Sequence, residues 1–333
     1  MEKEKIAIVI PTIREDCILR FLKEWKVEFS KYENLNVIIV EDNPQKTFKI
    51  EGDNIIHYSW KEIDGDLKEN SWIIPRRTDC VRSYGYYKAY KSGTDFLITL
   101  DDDCYPTQTE PYLIELFIKH LKNQVGNDWF NTLSGRMENH SGFYPRGFPY
   151  KNRNKPVVLC HGLWNNVPDF DGQTQLANPG VRIKAPNIEA TTVPHNVFFP
   201  MCGMNMAIRR EAIPSFYFLL MGKDKNDNRW GFDRFGDIWC GIFIKKIIDH
   251  LEKAAVSGYP IIHHDRASNA QKNAELEIAG LEINEWLYKE VEKIQLTSQT
   301  FKSCYRELAE KLPAKNNYFS KLKKAMIIWS ELF

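Results

Sequence analysis

Ile6 to Ile10 is an unbroken apolar, β-branched run closed by Pro11, the pattern of a strand buried on both faces of a parallel sheet. A polar loop with Thr12 and Arg14 follows. From Asp16, a predicted helix N-cap, Ile18, Phe21, Leu22, Trp25 and Phe29 recur at the three- and four-residue steps of one helical face. Val37 to Val40 reads as a second buried strand, stopped at Glu41-Asp42-Asn43-Pro44, and Ile55 to Tyr58 as a third. The spacing over Arg77 to Tyr90 predicts a helix that places Arg82 about one turn from Thr78. Phe96 to Leu100 forms a strand running directly into Asp101-Asp102-Asp103.

Strands alternating with helices imply an α/β fold with a right-handed, mostly parallel, Rossmann-like sheet, on which ligands sit beyond the carboxyl ends of the strands. Thr12, Asp42 and Asp101 each fall at such an end. From about Asp128 to Pro200 the chain is rich in Pro, Gly, Asn and aromatics, which predicts long ordered loops over a site. Tyr259 to Ile262 is another strand-like piece, leading into His263 and His264. Beyond Ala270 the sequence is charged and helix-periodic through Leu276, Ile278, Leu281, Ile283, Trp286 and Leu287. The expected organisation is a main domain over 1–269 and a helical extension over 270–333, with no internal repeat.

With 43% apolar residues the 333-residue chain can cover a substantial core. Its 45 basic and 44 acidic side chains leave a net charge of +1, so no excess of one sign steers it toward nucleic acid or anionic lipid, and any anion must be gripped locally. Seven scattered cysteines without a CxxC pair disfavour a disulfide framework and a zinc site. The charged N-terminus lacks the layout of a signal peptide and no apolar run is long enough to span a bilayer, so a cytoplasmic protein without an integral membrane segment is expected.

Three consecutive carboxylates after a buried strand repel one another unless a cation or protons intervene. A divalent Mg2+ or Mn2+ ion resolves the conflict, since it takes hard oxygen ligands and bridges carboxylates to diphosphate oxygens. A solvated acidic turn is the bland alternative, and the strand-end position argues against it. Asp42 stands where a carboxylate accepts from a base imide or a ribose hydroxyl, with Thr12 and Arg14 at the neighbouring strand end. Arg82 offers a planar fork to a carboxylate or phosphate, or is a surface helix residue; one of His263 and His264 completes a metal shell, or is a hydrogen-bonded histidine. Neither GxGxxG after the first strand nor a P-loop is present, which argues against redox chemistry.

The runs Ile10-Pro11-Thr12-Ile13-Arg14, Ile38-Ile39-Val40-Glu41-Asp42 and Thr99-Leu100-Asp101-Asp102-Asp103-Cys104 carry a resemblance. So do Arg146-Gly147-Phe148-Pro149, His161-Gly162-Leu163-Trp164, Pro168-Asp169-Phe170-Asp171, Thr174-Gln175-Leu176, Phe199 through Asn205, and His264 through Asn269. In this order the chain resembles the reversibly glycosylated polypeptides, the UDP-arabinopyranose mutases of glycosyltransferase family 75. The resemblance implies a GT-A-like nucleotide-diphospho-sugar catalytic domain over 1–269 and a UDP-sugar substrate. It implies non-oxidative interconversion of UDP-L-arabinopyranose and UDP-L-arabinofuranose with Mn2+ or Mg2+ and no flavin.

It further implies a metal site at Asp101, Asp103 and His264, the last in register with the family's His-x-x-Ala-Ser-Asn pattern. Pro11, Thr12, Arg14, Asp42, Arg82, Asp101, Arg153, His161, Trp164 and Asn205 become candidate nucleotide and sugar contacts. Arg146, Asp102 and Asp237 become candidate catalytic residues. Arg146 and Arg153 hold both arginine places of the family's RGYPFSLR-like segment, in which an arginine carries a sugar. For His161 a phosphate contact and a loop cap stay open, and Trp164 is a core or pocket-wall aromatic. One departure is Arg234-Phe235-Gly236-Asp237-Ile238-Trp239, where the family usually has a second acid at the place of Gly236. An ordinary glycosyltransferase on the same donor site and a UDP-sugar-binding scaffold are the rival readings, and a homo- or hetero-oligomer stays open.

Overall fold

Strand β1 (Ile6–Thr12) sends its side chains alternately into two apolar layers. Ile6, Ile8 and Ile10 join Ile18, Phe21 and Trp25 of helix α1 (Glu15–Phe29) on one face, whereas Ala7 and Val9 enter the larger core on the other. This computed structural model describes residues 4–107, 110–125, 129, 131–133, 143–150, 155–185, 190–223, 229–266 and 268–333. Strands β2 (Leu35–Glu41), β3 (Ile55–Tyr58) and β4 (Phe96–Leu100) complete a parallel half-sheet in the order β3-β2-β1-β4, with helices α2 (Trp60–Leu67) and α3 (Arg82–Lys91) between them in sequence. The α/β, Rossmann-like class predicted from the alternating pattern is the class observed.

The second half of the sheet is mixed. After β5 (Cys104–Pro106) come α4 (Leu113–Lys122), β6 (Gln124–Val125), β7 (Lys155–Asn166), α5 (Gly172–Ala177), β8 (Thr191–Thr192), β9 (Asn205–Arg209), α6 (Gly236–His250) and β10 (Ala254–His264). β9 runs antiparallel to β4 and β7, β7 runs parallel to β10, and β5 closes the row antiparallel to β10. The stretch expected as loops over 128–200 therefore contains the twelve-residue strand β7. Pro156 near its start and Gly162 within it break the periodic signal, although Val157 to Cys160 are fully buried. In β10 a register shift between Gly258 and Ile261 hides all but the segment visible in the sequence.

Helix α3 also begins later than expected, because residues Asp79–Val81 form a separate 3₁₀ turn before Arg82. Past residue 269, α7 (Ala270–Lys293), α8 (Phe301–Lys311) and α9 (Asn317–Glu331) are helical, and Asn269 caps α7 by accepting from the Lys272 N–H at 2.9 Å. Their buried Leu287, Val291, Leu308, Phe319 and Trp329 share one continuous core with Ala7 and Val9 of β1. No helix among the described residues is long and apolar enough to cross a membrane.

Candidate functional site

The turn after β4 is pinned through its backbone. Cys104 N–H donates to the Asp101 carbonyl at 3.1 Å, Trp25 Nε1 to the Cys104 carbonyl at 2.9 Å, and Asp265 N–H to the Asp103 carbonyl at 3.0 Å. Asp102 and Asp103 are consequently only 3% and 8% exposed, where adjacent carboxylates require neutralisation. Arginines supply it. Arg14 donates from Nη2 to both Asp102 and Asp103, the latter at 2.9 Å, while Thr12 Oγ1 donates to Asp102 Oδ2 at 2.6 Å.

Arg82 is 2% exposed and pairs with Asp101. Its remaining donors meet Thr99 Oγ1 at 3.0 Å, the Gly203 carbonyl at 2.7 Å and the Asp79 carbonyl at 3.1 Å. Of the two roles open to it in the sequence, the fork is the one realised, toward a carboxylate. Burial opposes the charge of Arg14 and Arg82, but the facing carboxylates outweigh it and hold both groups above the ordinary guanidinium range. Asp103 is raised, by burial first and by the repulsion of Asp101 next, against the pull of Arg14.

These groups line a cavity of about 410 Å³, which also takes in Pro11, Asp42 and His264 and falls in the size range of small-molecule sites. Asp42 accepts from Trp60 Nε1 at 2.6 Å, its own N–H donates to the Thr12 carbonyl at 2.8 Å, and burial raises its carboxyl. His264 Nδ1 lies 2.9 Å from the Val167 carbonyl, which can only accept, so Nδ1 carries a proton and Nε2 is the nitrogen through which a neutral ring would bind a metal. Nε2 faces Asp103 Oδ1 at 3.9 Å. Such an oxygen and imidazole pair suits a Mn2+ or Mg2+ ion shared with a diphosphate. Asp101, expected beside them, is engaged by Arg82, and among the described residues no three ligating side chains gather into a metal site of their own.

Other expected site residues are not part of the cavity lining. His161 Nε2 accepts from the Cys202 N–H at 3.2 Å, so Nδ1 donates to Ser257 Oγ at 3.1 Å, and burial lowers the ring to about 4. It is a neutral tie between β7 and β10, with the ring of Trp164 packed edge-on against it at 6.0 Å. Asn205 spends its amide protons on the carbonyls of Leu163 at 2.8 Å and Pro260 at 3.0 Å, joining β9 to β7 and to β10 beyond it. Asp237 accepts from the Gly203 N–H at 2.9 Å; desolvation, then the charges of Asp79 and Asp169, push it up to about 8. The second acid is missing at Gly236 because any Cβ there would overlap Cys80 Sγ. Arg146 is exposed, in a segment where the Phe148 ring packs on that of Tyr144 at 4.7 Å. Arg153 lies outside the described residues.

Sequence reasoning did not single out Arg77, Asp79 and Arg266, and it quoted Gln175 and Arg234 only within longer runs; all five line the cavity, as does Asp169, which the sequence offers as a carboxylate base beside Arg146. Arg77 and Arg234 share a backbone peculiarity, with φ of 60° and 71°. Non-glycine residues adopt that region rarely, and often at functional sites. Arg77 lies over the Trp60 ring at 5.1 Å and donates to Asn43 Oδ1 at 3.3 Å. No side-chain pattern in the sequence reports such a backbone angle.

The model of the family described as reversibly glycosylated polypeptide matches residues 1–333. A probable UDP-arabinopyranose mutase 1 of Pisum sativum is 36% identical over 99% of this chain and 90% of its own length. UDP-arabinopyranose mutase 1 of Arabidopsis thaliana is 35% identical over 99% of this chain and 92% of its own. Among solved structures, glucosyl-3-phosphoglycerate synthase from Mycobacterium tuberculosis, in complex with Mn2+, UDP-glucose and phosphoglyceric acid, is similar at 11% identity and a TM-score of 0.41, over 84% of this chain and 79% of that one. Matched along its whole length, and more than a third identical to relatives of nearly its own size, this chain belongs to the reversibly glycosylated polypeptide family.

Proposed function

We propose that this chain is a non-oxidative UDP-sugar mutase that interconverts pyranose and furanose forms, with UDP-L-arabinopyranose and UDP-L-arabinofuranose as its pair. One observation carries the reading: within a chain of this family, strand-end carboxylates and arginines from separate elements converge on one cavity, Asp101 to Asp103 with Arg14, Arg77 and Arg234. Asp42 with Thr12 suits the uridine end, and the arginines suit the diphosphate. Asp103 and His264 would hold a divalent ion, which supplies further neutralisation of the diphosphate when bound.

Exchange of ring size breaks the bond from the anomeric carbon to the pyranose ring oxygen and forms one to the oxygen at C4. A proton leaves that hydroxyl and one reaches the former ring oxygen. Asp79 and Asp169, on the same cavity, are placed to take and give it. Arg146 is the candidate for holding the anomeric carbon meanwhile: its nitrogen would give up a proton and bond that carbon as the carbon's bond to the UDP oxygen breaks, and after ring exchange the UDP oxygen would take the carbon back as the carbon–nitrogen bond breaks. Because it is exposed and does not line the cavity, a sugar on its nitrogen requires the 143–150 segment to approach.

The test incubates purified protein with UDP-arabinopyranose, with and without Mn2+, and resolves UDP-furanose from free UDP. UDP-furanose is the expected product; free UDP alone indicates a transferase, and neither product indicates a binding protein. Intact-protein mass spectrometry in the same mixture should show a pentose adduct that Arg146→Ala loses, and an Arg146→Ala enzyme that isomerises at the wild-type rate removes Arg146 from the mechanism.

A further inference from the structure

Helix α7 grips the cavity wall at two places through one side chain. Glu277 is 5% exposed, and its Oε1 accepts from Arg234 Nε at 2.7 Å while its Oε2 accepts from the Gly172 N–H at 2.6 Å. The Gly172 N–H opens α5, which carries the cavity residue Gln175, so one carboxylate braces two lining segments. The surrounding contacts fix the same register. Asp233 N–H donates to the Leu276 carbonyl at 2.9 Å, Asn273 Nδ2 reaches Gln175 Oε1 at 3.5 Å, and α7 lies so close to α5 that a Cβ at Gly172 would overlap the backbone of Ala274.

Arg234 differs from Arg14 and Arg82 in what it leaves unspent. Arg82 is occupied by Asp101, Thr99 and two carbonyls, and Arg14 by Asp102 and Asp103. Arg234, held at φ 71°, donates through Nε to Glu277, and among the described residues its two Nη atoms have no hydrogen-bond partner. A guanidinium anchored through Nε still presents both terminal nitrogens as a planar pair, the geometry that takes two oxygens of a phosphate.

We infer that Arg234 is a diphosphate-binding residue of this cavity and that Glu277, on the C-terminal helix, is the positioning residue that aims it. The inference rests on the nucleotide-sugar reading above. Without Glu277 the guanidinium keeps its charge but loses the anchor that sets its plane, and a strained backbone turn loses the contact that holds it. Helix α7 is then part of the binding machinery rather than a cover behind it.

Calorimetric titration of the full chain with two probes, UDP and uridine, separates the possibilities. Arg234→Ala should weaken UDP by about tenfold or more and leave uridine unchanged, since only UDP carries the diphosphate. Glu277→Gln should weaken UDP by a smaller factor, again sparing uridine, and Arg234→Lys should not restore UDP affinity because an ammonium cannot present the planar pair. Equal loss of both probes in Glu277→Gln would reduce Glu277 to a support of the fold. Unchanged UDP affinity in Arg234→Ala would remove Arg234 from the diphosphate site. A wild-type chain that binds neither probe would sink the nucleotide-sugar reading itself, an outcome distinct from the other two.

Discussion

Asp237 accepts the backbone N–H of Gly203 at 2.9 Å, and the carbonyl of the same Gly203 accepts from Arg82 at 2.7 Å. The first turn of α6 is thus connected through the backbone of one residue to the arginine that neutralises Asp101. The Asp237 carboxyl is pushed up to about 8 from an ordinary value of 3.8, by desolvation and by Asp79 and Asp169. A folded value above the unfolded one means a contribution present below about pH 4 and lost as pH rises through about 8. Wild-type protein should therefore lose thermal stability between about pH 4 and pH 8 through this group, and Asp237→Asn should lose less. Equal losses in the two proteins would show that another group governs this window.

Asp103→Asn should reduce mutase turnover on the order of 100-fold or more while shifting the melting temperature little, because the carboxyl's charge is already disfavoured by burial and Arg14 retains Asp102. Initial rates across a Mn2+ titration, read beside melting curves, check this. Near wild-type turnover without added metal would refute the assignment of Asp103 and His264 to an ion.

Arg82 should prove structural as much as functional. Asp101 is half-buried, but removing the buried Arg82 takes the donors from the carbonyls of Gly203 and Asp79 as well, so Arg82→Ala should lower unfolding free energy by roughly 1–3 kcal/mol. Arg82→Lys should lose a measurable part of that, since one ammonium cannot meet Asp101, Thr99 Oγ1 and the carbonyls of Gly203 and Asp79 together. Urea denaturation gives both values, and an Arg82→Lys protein as stable as wild type would contradict the fork.

Far from the cavity, Glu28 on α1 accepts the Ile114 N–H at 2.6 Å at the start of α4, and its Oε2 is buried without a hydrogen-bond partner among the described residues. Burial pushes this carboxyl up to about 7 from 4.5, so its contribution is full below about 4.5 and lost as pH rises through about 7. Glu28→Gln keeps an acceptor without the charge. It should be more stable than wild type at about pH 8 and gain nothing at about pH 4, and melting curves at the two pH values decide it.

The sequence by itself determined what depends on neighbours along the chain. The β-branched run of β1, the helical spacing of α1 and the strand that ends in Asp101-Asp102-Asp103 are local patterns, and the rule that ligands bind beyond strand ends turns them into a site. Pro11, Thr12, Arg14, Asp42 and His264 were legible for that reason, Arg82 only as a helix arginine with a fork to offer, and all six line the cavity. Only the tertiary structure decided which charges meet across 70 or more residues: Arg14 took Asp102 and Asp103. It also seated His161 and Asn205 between strands, since partners that hold them there, Ser257 and Pro260, come from the distant β10. Arg77 and Arg234 owe their place to positive φ angles, and Glu277 to the packing of α7 on α5. Backbone angle and helix packing are set by contacts remote in sequence, so residue type and spacing carry no record of them.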